Sequence, residues 1–170
     1  MSDVRLADHR IGDGSPCFII AEAGSNHNGS LEQAKRLIAL AAFAHVDAVK
    51  FQLFRASRLY PKSAGSSDYL KDSKPIYDII REMELPYEWL STLAEECRKR
   101  AVLFMASVFD EESADRLDPY VEIHKIASYE LTHLPLVRHV AKKGKPTIIS
   151  SPRSTASPTR TSGPTPLAIS

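Results

Sequence analysis

Asp47-Ala48-Val49-Lys50-Phe51-Gln52 is a short run of small, β-branched and aromatic residues, broken by one lysine and closed by an amide. It is too short for an ordinary helix, and near-continuous apolarity is what a strand buried on both faces of a parallel sheet displays. Upstream, Cys17-Phe18-Ile19-Ile20-Ala21 has the same character and ends at Glu22. Between the two runs lies the loop Ala23-Gly24-Ser25-Asn26-His27-Asn28-Gly29. Ser30, with Gln33 three residues on, then forms a capping box that opens a helix with Leu31, Ala34, Leu37, Ile38 and Ala41 on one face.

The pattern repeats downstream. Residues 76–84 and 87–100 read as helices, the second turning Leu90, Leu93, Ala94 and Cys97 inward, and residues 102–106 form a third strand. Asp110 caps a short helix with Ala114 and Leu117 inside, and residues 121–126 are a fourth strand. A helix starting at Thr132 buries Leu136, Val137 and Val140, and residues 146–149 are a fifth strand. Five apolar strands alternating with amphipathic helices predict a parallel α/β architecture. Periodicity alone admits both a closed barrel and an open doubly wound sheet. No G-x-G-x-x-G or G-x-x-x-x-G-K motif follows any strand, which argues against a dinucleotide or P-loop fold.

Outside this core, residues 1–16 read as an N-terminal extension and residues 54–74, rich in Ser and Lys with Pro61 and Gly65, as a long loop. Residues 151–170 are dominated by Ser, Thr and Pro; such a segment buries too little surface to offset its ordering entropy, so disorder is expected. A formal net charge of +1 gives no electrostatic reason to expect nucleic acid or an anionic membrane as partner, while a local basic pocket for a small anion stays open. With no signal-peptide pattern and no apolar run of membrane-spanning length, the cytoplasm is the expected location. Cys17 and Cys97 lack C-x-x-C spacing and are expected to be buried thiols in a reducing compartment. His27 alone makes a poor metal ligand, and His124, His133 and His139 read as surface or supporting groups.

Each apolar strand hands over to polar residues at its C-terminal end. Glu22 follows the first, Lys50 and Gln52 close the second, Ser107 follows the third, Lys125, Ser128 and Glu130 follow the fourth, and Ser150 ends the fifth. In parallel α/β folds these ends share one face. A single polar residue there is commonly a turn or cap residue, but Lys50 between Val49 and Phe51, and Lys125 between His124 and Ile126, point into partly buried space. A buried lysine needs an anionic partner, so the pair implies either ion pairs with Glu22 or Glu130 or a pocket for a phosphate or carboxylate ligand. The loop at residues 23–29 admits two readings as well, a turn needing Gly and Asn or a set of ligand-binding amides.

Ile19-Ile20-Ala21-Glu22-Ala23-Gly24-Ser25-Asn26-His27-Asn28-Gly29, Asp47-Ala48-Val49-Lys50-Phe51-Gln52, Lys125-Ile126-Ala127-Ser128-Tyr129-Glu130-Leu131 and Gly144-Lys145-Pro146-Thr147-Ile148-Ile149-Ser150 together resemble, in order, the strand-end motifs of the N-acetylneuraminate (sialic acid) synthase family. The resemblance implies an α/β fold, a (β/α)8 TIM barrel represented here by about five βα units over residues 17–150. It implies condensation of phosphoenolpyruvate with an N-acylated amino sugar of the N-acetylmannosamine type to a nine-carbon sialic acid, with release of phosphate. By position, Lys50, Ser107, Lys125, Ser128 and Ser150 would hold phosphoenolpyruvate, Gln52 and Glu130 would contact the sugar, and Glu22 would be the catalytic acid/base or electrostatic group. Mn²⁺ or Mg²⁺, bound by histidines on later strands absent from this chain, would polarise the sugar aldehyde, and family members would be homodimers. After Ser150 the sequence departs from the family's Ser-Thr-Gly-Met pattern, as a truncation or frameshift would produce. The isolated chain is therefore expected to be marginally stable and inactive. Two alternatives accompany this reading: a pseudaminic, legionaminic or spore-coat polysaccharide synthase, or a non-catalytic interaction module.

Overall fold

The computed structural model describes residues 4–65 and 74–151; the Ser/Thr/Pro-rich segment expected to be disordered lies outside them, apart from Ser151. A two-stranded antiparallel hairpin, β1 (Val4–Leu6) and β2 (His9–Ile11), precedes five parallel strands: β3 (Ile20–Gly24), β4 (Ala48–Leu53), β5 (Leu103–Val108), β6 (His124–Ile126) and β7 (Thr147–Ile149). The crossovers carry α1 (Leu31–Phe43), the trio α2 (Ala56–Leu59), α3 (Ile76–Glu82) and α4 (Leu90–Lys99), then α5 (Glu111–Leu117) and α6 (Leu134–Ala141). Strand order in the sheet follows chain order without reversal. Right-handed crossovers that always step the same way place every helix on one face, the winding of a (β/α) barrel; a doubly wound sheet reverses its order midway. The fold among the described residues is thus an arc of five parallel strands and four helical crossovers of a TIM-type barrel, with β3 and β7 at its ends.

The helix faces form as their periodicity predicts. Ala34, Ile38 and Ala41 of α1, Leu90, Leu93 and Cys97 of α4, Ala114 and Leu117 of α5, and Leu136 and Val140 of α6 pack against Val49, Phe51, Leu53, Phe104, Ala106, Val108 and Ile126 of the sheet. Ser30 Oγ accepts from the Gln33 amide at 3.3 Å and Asp110 Oδ1 from the Ser113 amide at 2.8 Å, so both predicted N-caps are in place. After β4, the Arg55 guanidinium donates to the Phe54 and Leu85 carbonyls at 2.9 and 3.0 Å and lies 3.5 Å from the centre of the Tyr87 ring, tying the long connection to the strand end.

Several expectations are corrected. The first strand starts at Ile20 rather than Cys17, and the fourth spans only His124–Ile126. The loop expected at 54–74 contains the short helix α2, and its residues 66–73 lie outside the described residues. The helix expected from Thr132 begins at Leu134, because residues 128–132 close into a 3₁₀ turn first. Cys17 is exposed, since it precedes the strand on the open inner side; only Cys97 is buried, and burial pushes its thiol up to about 12. His124 is fully buried, not a surface group: it lies at the start of β6 with Nε2 2.9 Å from Asp118 Oδ1. No helix among the described residues is long and apolar enough to cross a membrane.

Candidate active site

Side chains along a strand alternate between faces. On β4 and β5 the residues Val49, Phe51, Leu53, Phe104, Ala106 and Val108 meet the helices, which leaves Ala48, Lys50, Gln52, Leu103, Met105 and Ser107 on the inner face. The inner face is layered. Near the strand N-termini, Ile20, Ala48, Leu103, Met105, Ile123 and Ile148 pack with Leu6 of the hairpin into an apolar floor. Further along the same strands the inner positions become Glu22, Lys50, Gln52, Ser107, Lys125 and Ser150. Register aligns them: Glu22 opposes Lys50, Gln52 opposes Ser107, and Ser107 opposes Lys125.

These residues and Ser128 line a cavity of about 560 Å³, of the size that holds a small metabolite. Glu130, the remaining residue expected at the site, does not line it. It sits on the 3₁₀ turn after β6, with its carboxylate 3.7 Å from His133 Nδ1. The hairpin strands, within the expected N-terminal extension, supply Leu6 and Ile11 to the cavity wall, and Phe18, expected in the first strand but lying before it, supplies a further side chain. The hairpin's signal was present in the alternation of Val4, Leu6 and Ile11 with polar neighbours around Ala7-Asp8. None of residues 23–29 lines the cavity. His27 is instead fully buried, accepts the Gly29 amide on Nδ1 at 3.1 Å and meets Trp89 edge-on, with centroids 5.7 Å apart. The loop backbone turns on itself, with the Asn26, Asn28 and Ser30 amides donating to the Ala23, Ser25 and His27 carbonyls, as the turn reading expects. Burial lowers the His27 pKa; the Met83 carbonyl pulls the other way, although no acceptor meets hydrogen-bond geometry at Nε2.

The cavity's electrostatics are set by two cations and one carboxylate. The Lys50 ammonium pairs with Glu22 and also lies 3.3 Å from Ser107 Oγ. Among the described residues Lys125 has no carboxylate partner within ion-pair distance; its ammonium donates to the Ile126 carbonyl at 2.8 Å and to Ser150 Oγ at 2.5 Å. Burial, then the nearby Lys50 charge, depress its pKa to about 8, with Glu22 opposing. Of the two alternatives left open by the sequence, internal pairing is realised at Lys50. Lys50 is internally paired with Glu22, whereas Lys125 is a buried cation held by neutral oxygens, the arrangement that an incoming anion stabilises.

Comparison with known proteins bears on the family and the fold. The NeuB family profile matches residues 37–162. The chain belongs to the NeuB family. It is 45% identical over 154 residues to the spore coat polysaccharide biosynthesis protein SpsE of Bacillus subtilis, aligning 89% of this chain with 41% of that one. It is 41% identical over 145 residues to the N,N'-diacetyllegionaminic acid synthase of Legionella pneumophila, over 82% of this chain and 41% of the relative. The crystal structure of N-acetylneuraminic acid synthetase from Leptospira borgpetersenii superposes with a TM-score of 0.77 at 33% identity, covering 92% of this chain and 51% of that one. The chain spans about two-fifths of the length of these curated NeuB relatives.

Proposed function

We propose that the inner-face cluster is the phosphoenolpyruvate half of the active site of a sugar-acid synthase, which joins phosphoenolpyruvate to an N-acylated amino sugar and releases phosphate. The observation that carries this reading is Lys125, a buried cation without a carboxylate partner, converging with Lys50 and the hydroxyls of Ser107, Ser128 and Ser150 in one cavity. Phosphoenolpyruvate brings a phosphate and a carboxylate, and ammonium and hydroxyl groups are the donors that bind both.

In the reaction, C3 of phosphoenolpyruvate forms a bond to the sugar's aldehyde carbon while the aldehyde oxygen takes a proton. Positive charge develops at C2, water adds there, and loss of inorganic phosphate leaves a 2-keto acid. Lys50 and Lys125 hold the anionic groups, and their fixed charge favours phosphate departure. Glu22 lies one strand from Lys50 on the inner face, where a carboxylate stabilises charge at C2 or accepts the water proton. Gln52, one inner position beyond Lys50, lines the same cavity, and in this reading its amide contacts the acceptor sugar. Glu130 would reach the sugar only after turning from His133. The divalent metal that the family resemblance implies finds no cluster of three His, Cys, Asp or Glu side chains among the described residues, and no step here runs through it.

The test is a chimera of residues 1–150 with the remainder of SpsE, incubated with phosphoenolpyruvate, divalent metal and N-acetylated amino sugars. Phosphate release that requires the sugar, with a nine-carbon product by mass spectrometry, is the expected result. A folded chimera that binds the sugar but leaves phosphoenolpyruvate intact would refute the reading.

A further inference from the structure

We propose that Glu22 serves as an internal substitute for the substrate's anion: it occupies the Lys50 ammonium until a ligand phosphate or carboxylate arrives, and ligand binding transfers Lys50 from Glu22 to the ligand. This rests on reading the cavity as an anion site, and adds that the site is self-competitive.

Four features of the cavity support the exchange. Glu22 and Lys50 are opposed residues of neighbouring parallel strands, so their ion pair forms without reorganisation. Their surroundings are unequal: the Lys50 side chain is 12% exposed and hydrogen-bonded to Ser107, while the Glu22 side chain is 51% exposed. The carboxylate is therefore the mobile partner. Register shifts between Glu22 and Gly24, an irregularity of the kind that re-aims a side chain. Gly24, where the register shifts, has a left-handed φ of +56° that favours glycine, and it adjoins the Glu22 carboxylate without a side chain of its own.

An anion held by Lys125 and Lys50 would have the Glu22 carboxylate as its neighbour on the same ammonium. Two anions sharing one poorly solvated cation repel, so anion binding and the Glu22–Lys50 pair oppose each other. Exchange relieves that repulsion. It also delivers a released carboxylate beside the reacting carbons only once phosphoenolpyruvate is seated, which couples substrate binding to exposure of the catalytic group.

The experiment titrates inorganic phosphate into the full chain and its Glu22→Gln variant at constant ionic strength, by calorimetry. A residue that helps to bind an anion should weaken binding when altered, whereas an internal competitor should strengthen it. Glu22→Gln is expected to bind phosphate at least about fivefold more tightly than wild type, and the Glu22 carboxyl ¹³C resonance of the wild type is expected to move on adding phosphate. Binding by Glu22→Gln but not by wild type supports the exchange equally. If wild type binds phosphate and the variant binds it no more tightly, the exchange is wrong while the anion site stands. If neither binds, the anion site falls and the exchange with it. Should Glu22→Gln fail to fold, Glu22→Ser carries the same expectations.

Discussion

Lys125→Met is expected to abolish phosphoenolpyruvate binding while leaving the chain as stable as wild type at neutral pH, or more stable. Truncating one partner of a desolvated charge pair costs about 2–5 kcal/mol, so affinity should fall at least about thirtyfold. Stability should move the other way because the lysine is strained by its site: its folded pKa lies near 8 against 10.5 for a free lysine, and burial is the leading cause. The unfolded chain therefore binds more protons than the folded one between these values, and stability rises as pH climbs from about 8 to 10.5. Below pH 8 the full cost of the buried charge is present, on the order of 3 kcal/mol. Methionine removes that charge and keeps the stem, against the loss of hydrogen bonds to the Ile126 carbonyl and Ser150. Urea unfolding of both proteins across this pH range checks the claim. The wild type should gain on the variant with rising pH; a constant difference would mean that Lys125 is not the buried cation described.

Phe51→Ala is expected to do the opposite, destabilising the chain by about 3–5 kcal/mol without touching the cavity. Phe51 is the next residue after Lys50 but points to the helix side, fully buried, with its ring 6.1 Å from that of Phe104. Domains of this size have a total stability of about 5–15 kcal/mol, so the loss is a large fraction of the whole. Thermal unfolding followed by circular dichroism should show a much lower midpoint. Any fraction still folded should bind phosphoenolpyruvate with wild-type affinity, as seen by calorimetry on the folded population. A loss under about 1 kcal/mol would contradict the assigned outer-face packing. Adjacent residues with opposite consequences are the signature of a strand that separates core from site.

The chain's helical faces were legible because Ala34, Ile38 and Ala41, then Leu90, Leu93 and Cys97, then Ala114 and Leu117, and Leu136 and Val140 each recur at helical spacing, and the caps Ser30 and Asp110 have only local requirements. The inner-face residues were legible because a lysine within an apolar strand has few places to point. Strand ends were less so: Cys17, Phe18 and Ile19 are as apolar as Ile20, but an edge strand lacks a partner on one side, and hydrogen bonding rather than composition sets where it begins. The burial of His124 depends on Asp118 folding back beside it, a contact that spacing does not announce. The hairpin is harder to read, because each three-residue strand carries only a short stretch of alternation, although Leu6 closes the floor beneath the lysines. Which of Lys50 and Lys125 would be paired internally required the register, since only Lys50 lies opposite Glu22.

The most direct measurement of the central claim is a titration of phosphoenolpyruvate into the wild-type chain, following the side-chain resonances of ¹⁵N-labelled lysines. Saturable shifts confined to Lys50 and Lys125 on the inner face, with surface lysines such as Lys35 and Lys99 unmoved, are the predicted result. Uniform small shifts across all lysines that track ionic strength and never saturate would contradict it.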